Sequence, residues 1–158
     1  MSEEAYQHIH PDYRHVLAYS AEDRIGFMES YRWVGYPAAQ KLLDTLQGLM
    51  DKPKQTRMPN LLITGEANNG KTTVVERFWD LQGQSYINED NEPVKPVILA
   101  QSPPSADEKA LYIHLLERFH PPYRDTDPRT KLRHQVIHLF RSCHVRLLIL
   151  DEIHSLLT

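Results

Sequence analysis

The stretch Asn60–Thr73, NLLITGEANNGKTT, constrains this chain more than any other. Its segment Gly65-Glu66-Ala67-Asn68-Asn69-Gly70-Lys71-Thr72 fits G-x-x-x-x-G-K-[ST] at every fixed position, and a short apolar run, Leu61–Thr64, precedes it. The spacing has a physical reason. Glycines let the backbone curl until successive N–H groups point inward at phosphate oxygens, and a helix starting at the loop adds the positive end of its dipole. Lys71 is placed to reach the outer phosphates, and the Thr72 hydroxyl to ligate Mg²⁺. The alternative is a glycine-containing surface turn, against which stands the context of a strand before and a helix after.

Downstream of the loop the pattern alternates. Lys71–Leu81 reads as a helix with Val74, Val75, Phe78 and Trp79 inward, and Gln82–Pro96 as a long polar loop. Val97–Ala100 reads as a buried strand stopped by Ser102-Pro103-Pro104. Ser105 with Glu108 forms a capping-box pattern for a helix carrying Leu111, Leu115, Leu116 and Phe119, which His120-Pro121-Pro122 ends. Asp127-Pro128 then opens a further helix carrying Leu132, Val136, Leu139 and Phe140. Leu147–Leu150 is apolar throughout, as in a strand buried on both faces of a parallel sheet, and it delivers Asp151 and Glu152 to the edge where the loop opens. Strand, helix, strand, helix, strand predicts an α/β domain with a doubly wound parallel sheet flanked by helices.

Upstream, Ser20 and Asp23 cap a helix expected to run from Ala21 to near Trp33–Tyr36. Pro37 suits the first position of a second helix, in which Leu42, Leu43, Leu46, Leu49 and Met50 make an apolar stripe. This organisation divides the chain into a polar arm, 1–20, a helical extension, 21–58, and a core, 59–158. His8 and His10 have metal-like spacing, yet no third ligand lies near them in sequence, so they read as surface histidines.

Composition excludes several classes. No apolar run approaches the roughly 20 residues of a membrane span, and the polar N-terminus is no signal peptide. The single cysteine, Cys143, excludes an internal disulfide framework and suits a reducing, cytoplasmic setting. A formal net charge of −3 gives no global attraction to nucleic acid, so any such contact needs a local patch. Tyr123–Arg146 offers one, with Arg124, Arg129, Lys131, Arg133, Arg141 and Arg146 against Asp125 and Asp127. The same residues also suit a solvated helix face.

Asp151 suits a carboxylate that holds Mg²⁺ through its water shell, and Glu152 a base that orients and deprotonates an attacking water. His154 completes Asp-Glu-Ile-His, similar to the DExH box of helicases. Helicases of that type carry glycine where this chain has Asn68, so His154 reads instead as the start of a helix.

The blocks WVGYPAAQKLLDTL, RMPNLLITGEANNGKTTVVERF and LLILDEIHSLL together resemble the TniB/TnsC family of AAA+ transposition ATPases, related to the phage Mu protein MuB, over most of the chain from Asp23 on. The resemblance implies an AAA+ P-loop core, ATP and Mg²⁺ as ligands, and a regulator that forms a homo-oligomer on target double-stranded DNA and recruits or activates a transposase. By position it assigns Gly65, Glu66, Ala67, Asn68, Asn69, Gly70, Lys71, Thr72 and Thr73 to the phosphates, Thr72 and Asp151 to the metal, and Glu152 with Lys71 to catalysis. Val34, Tyr36 and Pro37 match the segment that borders the adenine, although Trp33 and Tyr36 also suit plain packing. Arg124, Arg129, Lys131 and Arg133 are the DNA-contact candidates.

AAA+ proteins continue beyond this point with further core strands, a polar sensor residue, an arginine finger and a helical lid. The chain stops seven residues after Asp151, so the resemblance implies an N-terminal part, truncated after the Walker B strand, whose catalysis is incomplete. Two other readings stay open: a helicase-loader or initiator ATPase, and a nucleotide-binding interaction module that does not hydrolyse.

Overall fold

A computed structural model describes residues 6–153 of the chain, which divides between Val34 and Gly35 into two compact units. In the first, a 3-10 helix, Pro11–Ala18, precedes helix α1, Ala21–Glu29. Ser20 caps α1 as expected: its Oγ accepts from the Asp23 N–H at 3.1 Å and donates to Asp23 Oδ2 at 2.7 Å. The helix stops at Glu29, short of the expected Trp33. It buries none of its side chains, so no packing extends it past Ser30. Tyr13, His15, Tyr19 and Phe27 form a small aromatic group, and the Arg32 guanidinium lies 3.3 Å from the Phe27 ring centre.

The second unit opens with α2, Pro37–Met50, whose first residue is the expected proline. It buries Ala39, Leu43 and Leu46, and packs against α3, Lys71–Gln82, which buries Val74, Val75 and Phe78. Arg146 fastens the far end of α2. Its guanidinium donates to the Met50 and Lys52 carbonyls at 2.7 to 3.3 Å, supplying a cation and donors where helix carbonyls lack partners.

The segment expected as an open loop contains a hairpin. Strand β1, Tyr86–Ile87, pairs antiparallel with β2, Pro93–Val94. Asn88 Oδ1 accepts the Glu92 N–H at 2.8 Å, and Asn91 takes the left-handed conformation that lets the chain reverse. His144 Nε2 lies 2.8 Å from Glu92 Oε2 and ties the hairpin to the turn at Cys143-His144.

β3, Val97–Gln101, and β4, Leu147–Asp151, pair in parallel, in register from Val97 opposite Leu147 to Gln101 opposite Asp151. Between them run α4, Glu108–Glu117, and α5, Arg129–Ser142. Glu108 meets Arg129 at 2.9 Å where both helices begin, and Phe119 meets Phe140 where both finish. The two helices therefore run side by side in the same direction, and 118–128 returns the chain between them. Pro121-Pro122 suits that return because proline cannot continue a helix. Ile98, Ala100, Leu115, Leu116, Leu132 and Val136 make the core where sheet and helices meet. The cap of α4 is Asp107, which accepts the Lys109 N–H, rather than the expected Ser105. Asp127 does not cap α5; its carboxylate accepts from the Arg124 N–H and from Lys131.

Two expectations about strands fail. Leu61–Thr64 joins no ladder, and Leu62 stays 64% exposed. β4 is not buried on both faces, since Leu148 is 37% exposed. Both have one cause: among the described residues β4 pairs with β3 alone, and a strand without a neighbour has nowhere to direct its N–H and C=O groups except water. The fold is mixed helix and strand with a small parallel sheet, compatible with the α/β class. No described helix is long and apolar enough to cross a membrane.

Candidate functional site

The site forms where α3 begins and where β3 and β4 end. Gly70 precedes α3 with φ +70° and Asn68 has φ +59°, so the loop makes its turn through two left-handed residues, the region glycine enters without penalty. The surroundings of Gly70 are also tight: a Cβ there would lie 3.3 Å from the Tyr36 hydroxyl, which would have to shift by a few tenths of an ångström. Lys71 folds back over the loop, and its ammonium donates to the Gly65 carbonyl at 2.9 Å and the Glu66 carbonyl at 2.6 Å. A cation thus stands inside the turn beside the first-turn N–H groups of α3, which have no partners within the helix.

Across from the loop, the Thr72 hydroxyl donates to Asp151 Oδ2 at 2.8 Å. The other oxygen of that carboxylate accepts the Glu152 N–H at 2.9 Å. Asp151 is thereby oriented from both sides. A hydroxyl and a carboxylate side by side form an oxygen set suited to a hard divalent cation that completes its shell with water and phosphate. Among the described residues no group of three or more His, Cys, Asp or Glu could hold a metal by itself.

Glu152 sits at φ +55°, costly for a residue with a side chain and held here by what surrounds it. Gln101 Nε2 donates to Glu152 Oε2 at 3.1 Å. Gln101 has no place in the sequence reading. Its contact follows from the register that sets it beside Asp151, and nothing in the sequence alone pairs those two strands. The next residue, Ser102, is buried; its N–H donates to the Asp151 carbonyl, while its hydroxyl has no partner among the described residues.

Of the adenine candidates, Tyr36 caps α2 and Pro37 starts it, both in the second unit, whereas Val34 ends the first and is 74% exposed. The four DNA-contact candidates are unequal. Arg129 pairs with Glu108 at 2.9 Å and Lys131 with Asp127 at 2.8 Å. Arg124 and Arg133 are exposed. Lys131, by its hydrogen bond, holds the Asp127 carboxyl below its ordinary range, so that cation is committed to the protein's own anion. Arg146 is spent on the end of α2.

The family model described as Bacterial TniB protein matches residues 24–158. The chain belongs to the TniB family. TniB proteins are ATPase-like, ATP-using and associated with transposition, and this TniB chain covers its family's pattern from Arg24 through the loop to the strand bearing Asp151. The chain matches no curated protein.

Proposed function

We propose that this TniB protein binds ATP with Mg²⁺ at Gly65–Thr73 and acts as an AAA+ regulator of transposition, assembling on target double-stranded DNA and recruiting or activating a transposase. The observation that carries the reading is the 2.8 Å hydrogen bond from Thr72 to Asp151, which joins the two sequence motifs into one site. Family membership supports the transposition role. Gly65, Glu66, Ala67, Asn68, Asn69, Gly70 and Thr73 supply backbone around the phosphates, and Lys71 supplies the charge. Tyr36 and Pro37, at the amino end of α2, border the nucleotide.

When bound, Mg²⁺ would supply positive charge against that developing on the phosphates. Thr72 and Asp151 are the residues that would hold it. Lys71 exchanges its two carbonyl partners for phosphate oxygens, a stronger charge-assisted contact. Glu152, anchored by Gln101 and by its backbone bond to Asp151, stands at the end of β4 as the base for the attacking water. Arg124 and Arg133 carry the exposed charge available to DNA phosphates, with Arg129 and Lys131 joining only by leaving their carboxylates.

ATP binding and turnover, measured with and without double-stranded DNA, test the reading. Saturable ATP binding lost in Lys71→Ala, and DNA-stimulated turnover lost in Glu152→Gln, are expected. Absence of ATP binding by the unaltered chain would sink it.

A further inference from the structure

Tyr36 stands on the second unit at the amino end of α2, and its hydroxyl reaches Gly70, the residue immediately before Lys71. The approach is close: the hydroxyl lies 3.3 Å from the point a Cβ at position 70 would occupy, so it fills the space a side chain there would take. It makes no hydrogen bond to any described residue, and Tyr36 is 45% exposed. The packing of α2 on α3 therefore brings a free O–H donor to the loop at the end where α3 gathers its unpartnered N–H groups. Unpartnered N–H groups and a cation gathered at one place suit the anionic phosphates better than a neutral base.

We infer that Tyr36 recognises the nucleotide through its hydroxyl, which donates to a phosphate oxygen, and not through its ring on the base. The inference rests on the ATP reading above and changes the part of the ligand that Tyr36 is expected to meet. Tyr36 then belongs with Lys71 as a selector of polyphosphate. Glycine is favoured at position 70 by its left-handed backbone, and a side chain there would also press on the Tyr36 hydroxyl.

The test is a calorimetric titration of the whole chain, wild type, Tyr36→Phe, Tyr36→Leu and Lys71→Ala, with ATP, inorganic tripolyphosphate and adenosine, alongside the melting temperature of each protein. Removing one donor to a charged acceptor is expected to weaken ATP and tripolyphosphate about tenfold in Tyr36→Phe. Adenosine affinity and melting temperature should stay unchanged. ATP binding by Tyr36→Phe within twofold of wild type would overturn the inference. So would equal losses for ATP and adenosine in Tyr36→Leu with none in Tyr36→Phe, which would put the ring on the base. A parallel fall in all ligands and in melting temperature would mean a packing role and overturn it as well. If wild-type ATP affinity does not depend on Lys71, the ATP reading fails first and this inference with it; if it does, a null result in Tyr36→Phe is the failure of this inference alone.

Discussion

The hydroxyl of Thr72 and the carboxylate of Asp151 meet at 2.8 Å although 79 residues separate them in the chain. This contact fixes the start of α3 against the end of β4. Asp151→Asn keeps an oxygen to accept the bond but loses the charge a divalent cation needs. ATP affinity in the presence of Mg²⁺ should fall about tenfold or more, while affinity measured in excess chelator stays the same. Equal titrations of the two proteins with Mg²⁺ present would remove Asp151 from the metal site.

Glu152→Gln should separate binding from turnover. The loss of a base is expected to slow hydrolysis at least about 100-fold with ATP affinity retained. Gln101→Leu, which removes the donor at 3.1 Å, should lower turnover by a smaller factor and likewise spare affinity. A phosphate-release assay beside an equilibrium titration reads both, and turnover preserved in Glu152→Gln would exclude it as the base.

Leu132 is fully buried between α4, α5 and the sheet, whereas Leu62 lies mostly in water. Leu132→Ala is expected to cost about 2–5 kcal/mol of stability through lost burial and the cavity left behind. Leu62→Ala should stay within about 0.5 kcal/mol. Urea unfolding of the two variants gives the comparison, and similar losses would mean that Leu61–Thr64 is packed in solution.

Arg146→Ala removes three hydrogen bonds to the Met50 and Lys52 carbonyls and the cation at the end of α2. Because the side chain is solvent-accessible, the expected cost is about 1 kcal/mol. Amide exchange should quicken in the last turn of α2 and not in α4; uniform quickening would argue against a local cap.

Asp127 carries a pH dependence. The Lys131 ammonium, and secondarily the Arg124 N–H, hold its carboxyl below the ordinary value of 3.8, with burial opposing them. A carboxyl depressed on folding contributes stability above its unfolded pKa, and that contribution is lost as pH falls through the folded value. Asp127→Asn should therefore melt below wild type at neutral pH, with the gap closing below about pH 4. A gap constant from neutral pH into the acid range would exclude the ion pair as its source. Glu92, lowered first by the Asn88 amide and then by His144, should behave with the same sign at the hairpin.

Much of the helical structure of both units is legible residue by residue. Pro37 starts α2, Lys71 starts α3, and Ser20 caps α1, because each of these is a statement about neighbours within a turn. Asp107 displaced Ser105 at α4 by the same local chemistry, two candidate caps lying two residues apart. The hairpin at Tyr86–Val94 hid in polar sequence, since its strands hold two residues each and carry no periodicity to read. The phosphate-loop pattern and the Asp151-Glu152 pair were visible as residue types at fixed spacing, and Gln101 was not, because its role comes only from standing opposite Asp151.

Leu61–Thr64 and Leu147–Leu150 show why. As sequence they are alike, short apolar runs that end at polar chemistry. A helix satisfies its hydrogen bonds four residues away, so its limits are written in the same segment that forms it. A strand satisfies them on another part of the chain, and β4 finds Val97–Gln101 while Leu61–Thr64 finds no partner among the described residues. Motif, caps and helix faces are therefore properties of local sequence. Which apolar run becomes a paired strand, which arginines remain free, and which side chains stand beside Asp151 and Gly70 are decided by contacts that exist only once the chain has folded.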